Sequence, residues 1–345
     1  MQKIVNQTIT AIVRREFSRS LRFEDGRPPA LPQAREKLPR LLYLHVPFCE
    51  KLCPYCSFNR FLFDATRCRR YFHALQREIH LYRDRGYDFA GIYVGGGTPT
   101  VMIDELAATL ERARECFSIR EISVETNPNH LTEDRLNILK SAGVNRLSVG
   151  VQSFDDGLLK DVDRLEKYGS GAEVAARLAA IGGRFDTLNA DMMFNFPSQT
   201  PEILARDLDV LMRIGVDQVT YYPLMVSDST RRQVTEKLGE VDYGREEEYY
   251  DRILRRLLPT YRLSSAWCFS RQNGMIDEYI VDYDEYAGLG SGSIGFLGGA
   301  CYANTFDISE YIDKIERGGL PLMAARIFSR KDQLRYDFLM KLFGT

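Results

Sequence analysis

LLYLHVPFCEKLCPYCSF, residues 41–58, runs from a short apolar stretch straight into three cysteines, Cys49, Cys53 and Cys56, spaced four and then three apart. The apolar part reads as a strand. Similar runs recur downstream: GIYVGGG (91–97), EISVETNP (121–128), RLSVGVQS (146–153), TLNADMMFN (187–195) and DQVTYYPL (217–224). Longer amphipathic segments lie between and after them, near residues 65–86, 103–116, 131–143, 170–182, 201–213 and 244–258. Thr132, in LTEDRLNILKSAG, opens its segment like an N-terminal cap. Strands alternating with helices predict an α/β fold, with a parallel sheet and right-handed crossovers. Six such units favour a partial barrel over a flat doubly wound sheet. The chain divides accordingly into an N-terminal helix and linker (1–40), a core (41–225) and a C-terminal α/β extension (226–345) that completes the active-site cover.

Composition narrows the class. Lys and Arg (46) nearly balance Asp and Glu (48), for a formal charge of −2, so nothing marks nucleic acid as the partner. No apolar run is long enough to span a bilayer and no signal-peptide series is present, which predicts a cytoplasmic protein. Seven irregularly spaced cysteines do not form a secreted disulfide framework, and Cys68 and Cys116 read as small apolar residues. In residues 4–21 apolar side chains recur at helical spacing while Arg14, Arg15, Arg19 and Arg22 fill much of the other side. Such a basic amphipathic helix packs on its own protein or lies on the inner face of an anionic membrane. RPPALPQ (27–33) follows as a linker.

In parallel α/β folds, ligands bind beyond the carboxyl ends of the strands. The unusual residues of this chain sit at those ends. The cysteine loop follows the first run and GGGTPT (95–100) the second; Glu125 and Pro128 end the third, Gln152 the fourth, Asp191 lies within the fifth, and YYPL (221–224) ends the sixth. Three thiolates suit few purposes. A closed zinc site needs a fourth ligand, and a redox Cys53–Cys56 pair leaves Cys49 unexplained. A four-iron cluster usually takes four cysteines; three would leave one iron open to a substrate or cofactor. GGGTPT lacks the Lys-Ser/Thr ending of a phosphate loop, and GLGSGSIGFLGG (288–299) lacks the context of a dinucleotide fingerprint.

With its neighbours, the cysteine loop resembles that of the radical S-adenosylmethionine (SAM) superfamily. YLHVPFCEKLCPYCSF, GGGTPT, ISVETNP, RLSVGVQSF and GLGSGSIGFLGGACYANT together resemble the oxygen-independent coproporphyrinogen III oxidase family, from about Leu41 to Thr305. The resemblance implies a partial (β/α)6 barrel whose Cys49, Cys53 and Cys56 hold a [4Fe–4S] cluster, with SAM chelated at the open iron and cleaved to a 5′-deoxyadenosyl radical. It also implies SAM contacts at Tyr43, Tyr55, Gly96, Gly97, Thr98, Glu125, Gln152, Arg164, Asp191, Pro223 and Ile294. The family can bind two SAM molecules, and positions matching both sets are filled. A reducing donor such as flavodoxin or ferredoxin is implied as partner.

Departures from the family set the expected reaction. Phe58 stands where oxidases carry a further cysteine, Asn195 where a glycine is usual, and residues 1–40 lack the oxidases' opening segment. The His-Asn…Tyr-Trp pattern of the related haem chaperones is missing; the four histidines are His45, His73, His80 and His130. These differences favour the two-SAM methyltransferase branch, acting on an sp2 carbon of an aromatic or quinone substrate such as menaquinone. Oxidative decarboxylation of coproporphyrinogen III and haem chaperoning, each with a tetrapyrrole as substrate or cargo, are the alternatives. Asp277, Glu278, Tyr279 and Tyr283 are candidate bases for methyl transfer.

Overall fold

The computed structural model describes residues 31, 34, 38–272 and 283–343. The amphipathic stretch 4–21 and the candidate bases Asp277, Glu278 and Tyr279 lie outside them. Six parallel strands form the centre: β1 (Arg40–Val46), β2 (Gly91–Gly96), β3 (Glu121–Thr126), β4 (Arg146–Gln152), β5 (Thr187–Phe194) and β6 (Gln218–Pro223). Between and after them run α1 (Ala65–Arg83), α2 (Ile103–Cys116), α3 (Glu133–Ser141), α4 (Gly171–Ala180), α5 (Pro201–Ile214) and α6 (Glu246–Leu257). The strands are hydrogen-bonded in chain order, each beside its predecessor, with no reversal. Right-handed crossovers that always step the same way put every helix on one side of the sheet. Such a sheet curls as a partial barrel; a doubly wound sheet would need a change of direction.

The predicted elements appear within a few residues of their expected bounds. Thr132 does precede α3, yet its side chain makes no capping bond. At α4 the cap is complete: Ser170 and Glu173 bond reciprocally across the first turn. Along α1, Cys68, Tyr71, Phe72, Leu75, Ile79 and Tyr82 recur three and four apart and are buried.

Strand periodicity separates two faces. Leu42, Leu44, Val94, Val124, Leu147, Val149, Ala190 and Val219 point to the helices and are buried in the main apolar core. The alternate positions carry polar side chains. Arg146, Ser148, Asn189, Gln218 and Thr220 are wholly buried, and they satisfy one another. Arg146 Nε donates to Gln218 Oε1 at 2.7 Å and Nη1 to Ser123 Oγ at 2.9 Å. Asn189 Nδ2 donates to Ser148 Oγ at 2.8 Å, and Thr220 Oγ1 donates to Asn189 Oδ1 at 3.2 Å. A buried polar layer is stable only when bonded in this way. Here it forms a floor beneath the strand ends.

The later strands extend the same sheet at both edges. β7 (Arg262–Leu263) and β8 (Cys268–Ser270) continue it beyond β6, with β8 antiparallel to β6. At the opposite edge β9 (Glu285–Leu289) pairs parallel with β1, fixed by an ion pair of 2.5 Å between Arg40 and Glu285. Antiparallel β10 (Ile294–Leu297), β11 (Ala300–Asn304) and β12 (Leu322–Ile327) complete it, with α7 (Ile308–Glu316) between β11 and β12. Among the described residues no helix is long and apolar enough to cross a membrane.

Candidate functional site

At the carboxyl ends of the parallel strands lies a cavity of about 480 Å³. Every site residue expected from the sequence lines it except Ile294: the three cysteines, Tyr43, Tyr55, Gly96, Gly97, Thr98, Glu125, Gln152, Arg164, Asp191 and Pro223. Ile294 packs instead against the cluster of Phe296, Cys301 and Phe328, behind the glycine loop.

The cysteine loop is closed by its own tail. Phe48–Cys49 pairs with Phe61–Leu62, and the amides of Phe61 and Phe63 donate to the carbonyls of Pro47 and Cys49 at 2.6 and 2.9 Å. GGGTPT clamps it from the other side: Gly97 N donates to Val46 O at 2.8 Å and Thr98 N to Phe48 O at 2.7 Å. A Cβ on Gly97 would stand 2.7 Å from the Phe48 carbonyl oxygen, and one on Gly95 would stand 2.6 Å from Glu125 Oε1. The close approach these glycines allow is therefore first of all protein against protein. Gly97→Ala is expected to push the cysteine loop off the barrel, destabilising the chain by about 1–3 kcal/mol, as measured by denaturant unfolding.

A chain of hydrogen bonds joins the loop to the barrel. Thr98 bonds the Cys49 thiol and accepts from Asn127 Nδ2 at 2.8 Å. Arg164, 4% exposed, donates through Nη2 to Asn127 Oδ1 (2.9 Å) and Gly150 O (2.6 Å), and through Nη1 to Cys53 Sγ (3.6 Å). Its guanidinium lies 4.1 Å from the centre of the Tyr168 ring. Arg60, on the same cavity wall as Cys56, donates to Cys53 O at 2.6 Å. Burial pushes the Cys49 thiol up to about 12, and Cys56 also upward, against the opposing pull of these partners.

Two carboxylates face the cavity from the strands. Glu125 accepts from Tyr93 Oη at 2.6 Å and Gly96 N at 3.1 Å; burial, reinforced by Asp191, raises it to about 7. Asp191 accepts from Ser148 Oγ (2.7 Å) and Asn189 Nδ2 (2.6 Å) and is likewise raised by burial. Gln152 and Asp163 hold left-handed backbone, φ 73° and 59°, where β4 ends and just before Arg164. Non-glycine residues in that region are uncommon and cluster at ligand sites. At Gln152 the register of β4 against β5 slips, turning its side chain to the cavity.

Tyr93, Asn127, Tyr168, Tyr222, Trp267 and Arg60 also belong to the cavity wall or its cysteine loop, and motif reading passes over them. Tyr93 and Tyr222 could have been found by counting in twos along strands already placed, from Gly95 and Thr220. Trp267 and Tyr168 arrive from irregular segments that carry no periodic signal.

The residues present fit a cluster with a nucleotide-sized ligand. Three thiols share one cavity. The buried Nε atoms of Arg60 and Arg164 have no partner within the protein, leaving donors for an anionic group.

Comparison with known proteins agrees with this geometry. The family model of the radical SAM superfamily matches residues 43–211. The heme chaperone HemW of Bacillus subtilis is 30% identical over 320 residues, covering 88% of this chain and 83% of its own. The oxygen-independent coproporphyrinogen III oxidase of Escherichia coli K12 is 28% identical over 342 residues, covering 88% of this chain and 71% of its own. The solved structure of the Escherichia coli oxidase HemN superposes with a TM-score of 0.79 at 24% identity, over 90% of this chain and 77% of that one. These relatives overturn the expected methyl transfer to an aromatic or quinone carbon, since they carry the names of a haem chaperone and a porphyrinogen oxidase. The structure explains why one departure misled. Asn195 is buried with φ 67°, a conformation that glycine adopts freely and asparagine tolerates, so the exchange leaves the backbone as a glycine would.

Proposed function

The chain belongs to the radical SAM superfamily, in the branch of the haem chaperone HemW and the oxygen-independent coproporphyrinogen III oxidases, and from this premise we propose that it handles a tetrapyrrole as a haem chaperone. The observation that carries the reading is the similarity to HemW proteins of Bacillus subtilis and Mycobacterium tuberculosis, each 30% identical over most of this chain. Cys49, Cys53 and Cys56 would hold a [4Fe–4S] cluster, which supplies the electron for reductive cleavage of SAM. Arg164 and Glu125 would position SAM, the first by its spare guanidinium donor and the second by accepting a hydroxyl or ammonium proton. The strand-end walls of Tyr43, Tyr93 and Tyr222 keep water from the reacting groups. Electrons would come from a small reducing protein such as flavodoxin or ferredoxin.

None of the chain's four histidines lines the cavity. His45 lies between Tyr43 Oη and Asn59 O, each at 2.8 Å, and His130 between Thr100 and Glu50. A haem carried in this cavity would therefore not be ligated by histidine. The test is anaerobic reconstitution with iron, sulfide and SAM, followed by titration with hemin. Saturable uptake near one haem per chain, read from the Soret band, is expected, with coproporphyrinogen III left unchanged. Release of carbon dioxide from coproporphyrinogen III without haem uptake would overturn the chaperone reading in favour of the oxidase.

A further inference from the structure

The three cysteine sulfurs are not served alike. Cys53 Sγ takes a hydrogen bond from Arg164, which stands on the barrel and is tied through Asn127 to Thr98. Cys56, the least buried of the three, sits at the end of a short turn, its amide donating to the Cys53 carbonyl at 3.3 Å. Arg60, four residues further along the same loop, donates to that same carbonyl at 2.6 Å. It staples the turn that carries two of the ligands.

Its charge is also uncompensated. Among the described residues no carboxylate forms an ion pair with Arg60 or Arg164, and each keeps one buried, unpartnered Nε. Arg60 lines the cavity together with all three cysteines. A cluster held by three thiolates is anionic, and reduction adds a further negative charge. A nearby cation and a hydrogen bond to sulfur both favour the reduced form.

We infer that Arg60 is a positioning residue for the cluster, holding the Cys53–Cys56 turn and raising the reduction potential of the bound cluster. The inference rests on the reading that Cys49, Cys53 and Cys56 hold a four-iron cluster. Arg60 lies partly open to solvent, so its field is screened more than that of Arg164. The expected effect is accordingly moderate.

Wild type, Arg60→Gln and Arg60→Lys are reconstituted anaerobically. Iron and sulfide content are measured, then the midpoint by redox titration followed with electron paramagnetic resonance. Arg60→Gln is expected to retain its iron yet disfavour reduction about tenfold, a shift of about 59 mV for one electron. Arg60→Lys, which keeps charge but not the fork, is expected to fall between Arg60→Gln and wild type. An Arg60→Gln midpoint equal to that of wild type overturns the assignment while leaving the cluster reading intact. A wild-type chain that takes up no cluster overturns both. If Arg60→Gln assembles none, the Arg60→Lys midpoint decides: a value below wild type supports the role and an unmoved one refutes it.

Discussion

Cys53→Ala is expected to reduce iron uptake on anaerobic reconstitution from about four atoms per chain to near none, with matching loss of inorganic sulfide. On the proposed reading the cluster has three protein ligands and no spare donor. Cys53 is 8% exposed, and its sulfur takes a hydrogen bond from Arg164. Removing it takes away one corner of the cluster and leaves a buried guanidinium facing a void, which no neighbouring thiol can fill without unwinding the turn stapled by Arg60. Cys116→Ala is the control. Cys116 lies at the end of α2 beside His80 and Arg83, outside the cavity, and its loss should leave iron content unchanged. A Cys53→Ala protein that still assembled a full cluster would end the reading of this loop as a three-cysteine site.

The second large effect concerns Glu78, which sequence gives no reason to single out. It sits on α1 with no exposed surface, accepting from Tyr311 Oη (2.6 Å), Gly290 N (2.9 Å) and Asn304 Nδ2 (3.2 Å). One carboxyl group thus joins α1, the glycine loop, β11 and α7. Gly290 has φ 97°, and the turn is held further by Ser293 Oγ on the Gly290 carbonyl (2.7 Å) and Ser291 Oγ on the Phe306 carbonyl (2.9 Å). Of the three donors to Glu78, Asn304 Nδ2 keeps other acceptors, so Glu78→Ala leaves two, the Tyr311 hydroxyl and the Gly290 amide, unsatisfied and is expected to cost about 3–5 kcal/mol in denaturant unfolding.

Burial, opposed by those three donors, raises the Glu78 carboxyl to about 7. Its value in the unfolded chain is near 4.5, so between these limits the folded state binds more protons than the unfolded state. Stability then falls as pH rises through that window, by about 3 kcal/mol in all from this group. Glu125 and Asp207 are raised in the same direction, while His45 and His130, lowered to about 4 by burial, act oppositely; loss of stability is therefore expected above about pH 6.5, where both histidines are neutral in folded and unfolded chains alike. Glu78→Gln is expected to flatten the slope by one group's share while keeping most of the fold's stability. A variant as steep as wild type would show that Glu78 ionises in the folded chain as it does in water.

Much of the site was legible because its chemistry needs particular residue types. Three cysteines with one position left open, and a glycine run after the next strand, could be placed at one end of a sheet once the strand–helix rhythm was seen. Asn195 shows where the same reading failed. It looked like a departure in chemistry, yet it serves through its backbone angle. Residue identity alone does not distinguish a lost ligand from a tolerated turn. The names of its relatives turned the expectation from methyl transfer to tetrapyrrole handling.

What the chain order determined by itself is the partial barrel: apolar runs at strand length, helices of period 3.6 between them, and crossovers whose handedness leaves one way to stack six such units. Side-chain types at the strand ends likewise marked the loop that can hold iron. Only the folded molecule decided which partners meet. Arg60 on the Cys53 carbonyl, Arg164 between Asn127 and Cys53, and Glu78 beneath Gly290 are pairings set by distance in space, the last across more than two hundred residues, where no local period or propensity carries the information.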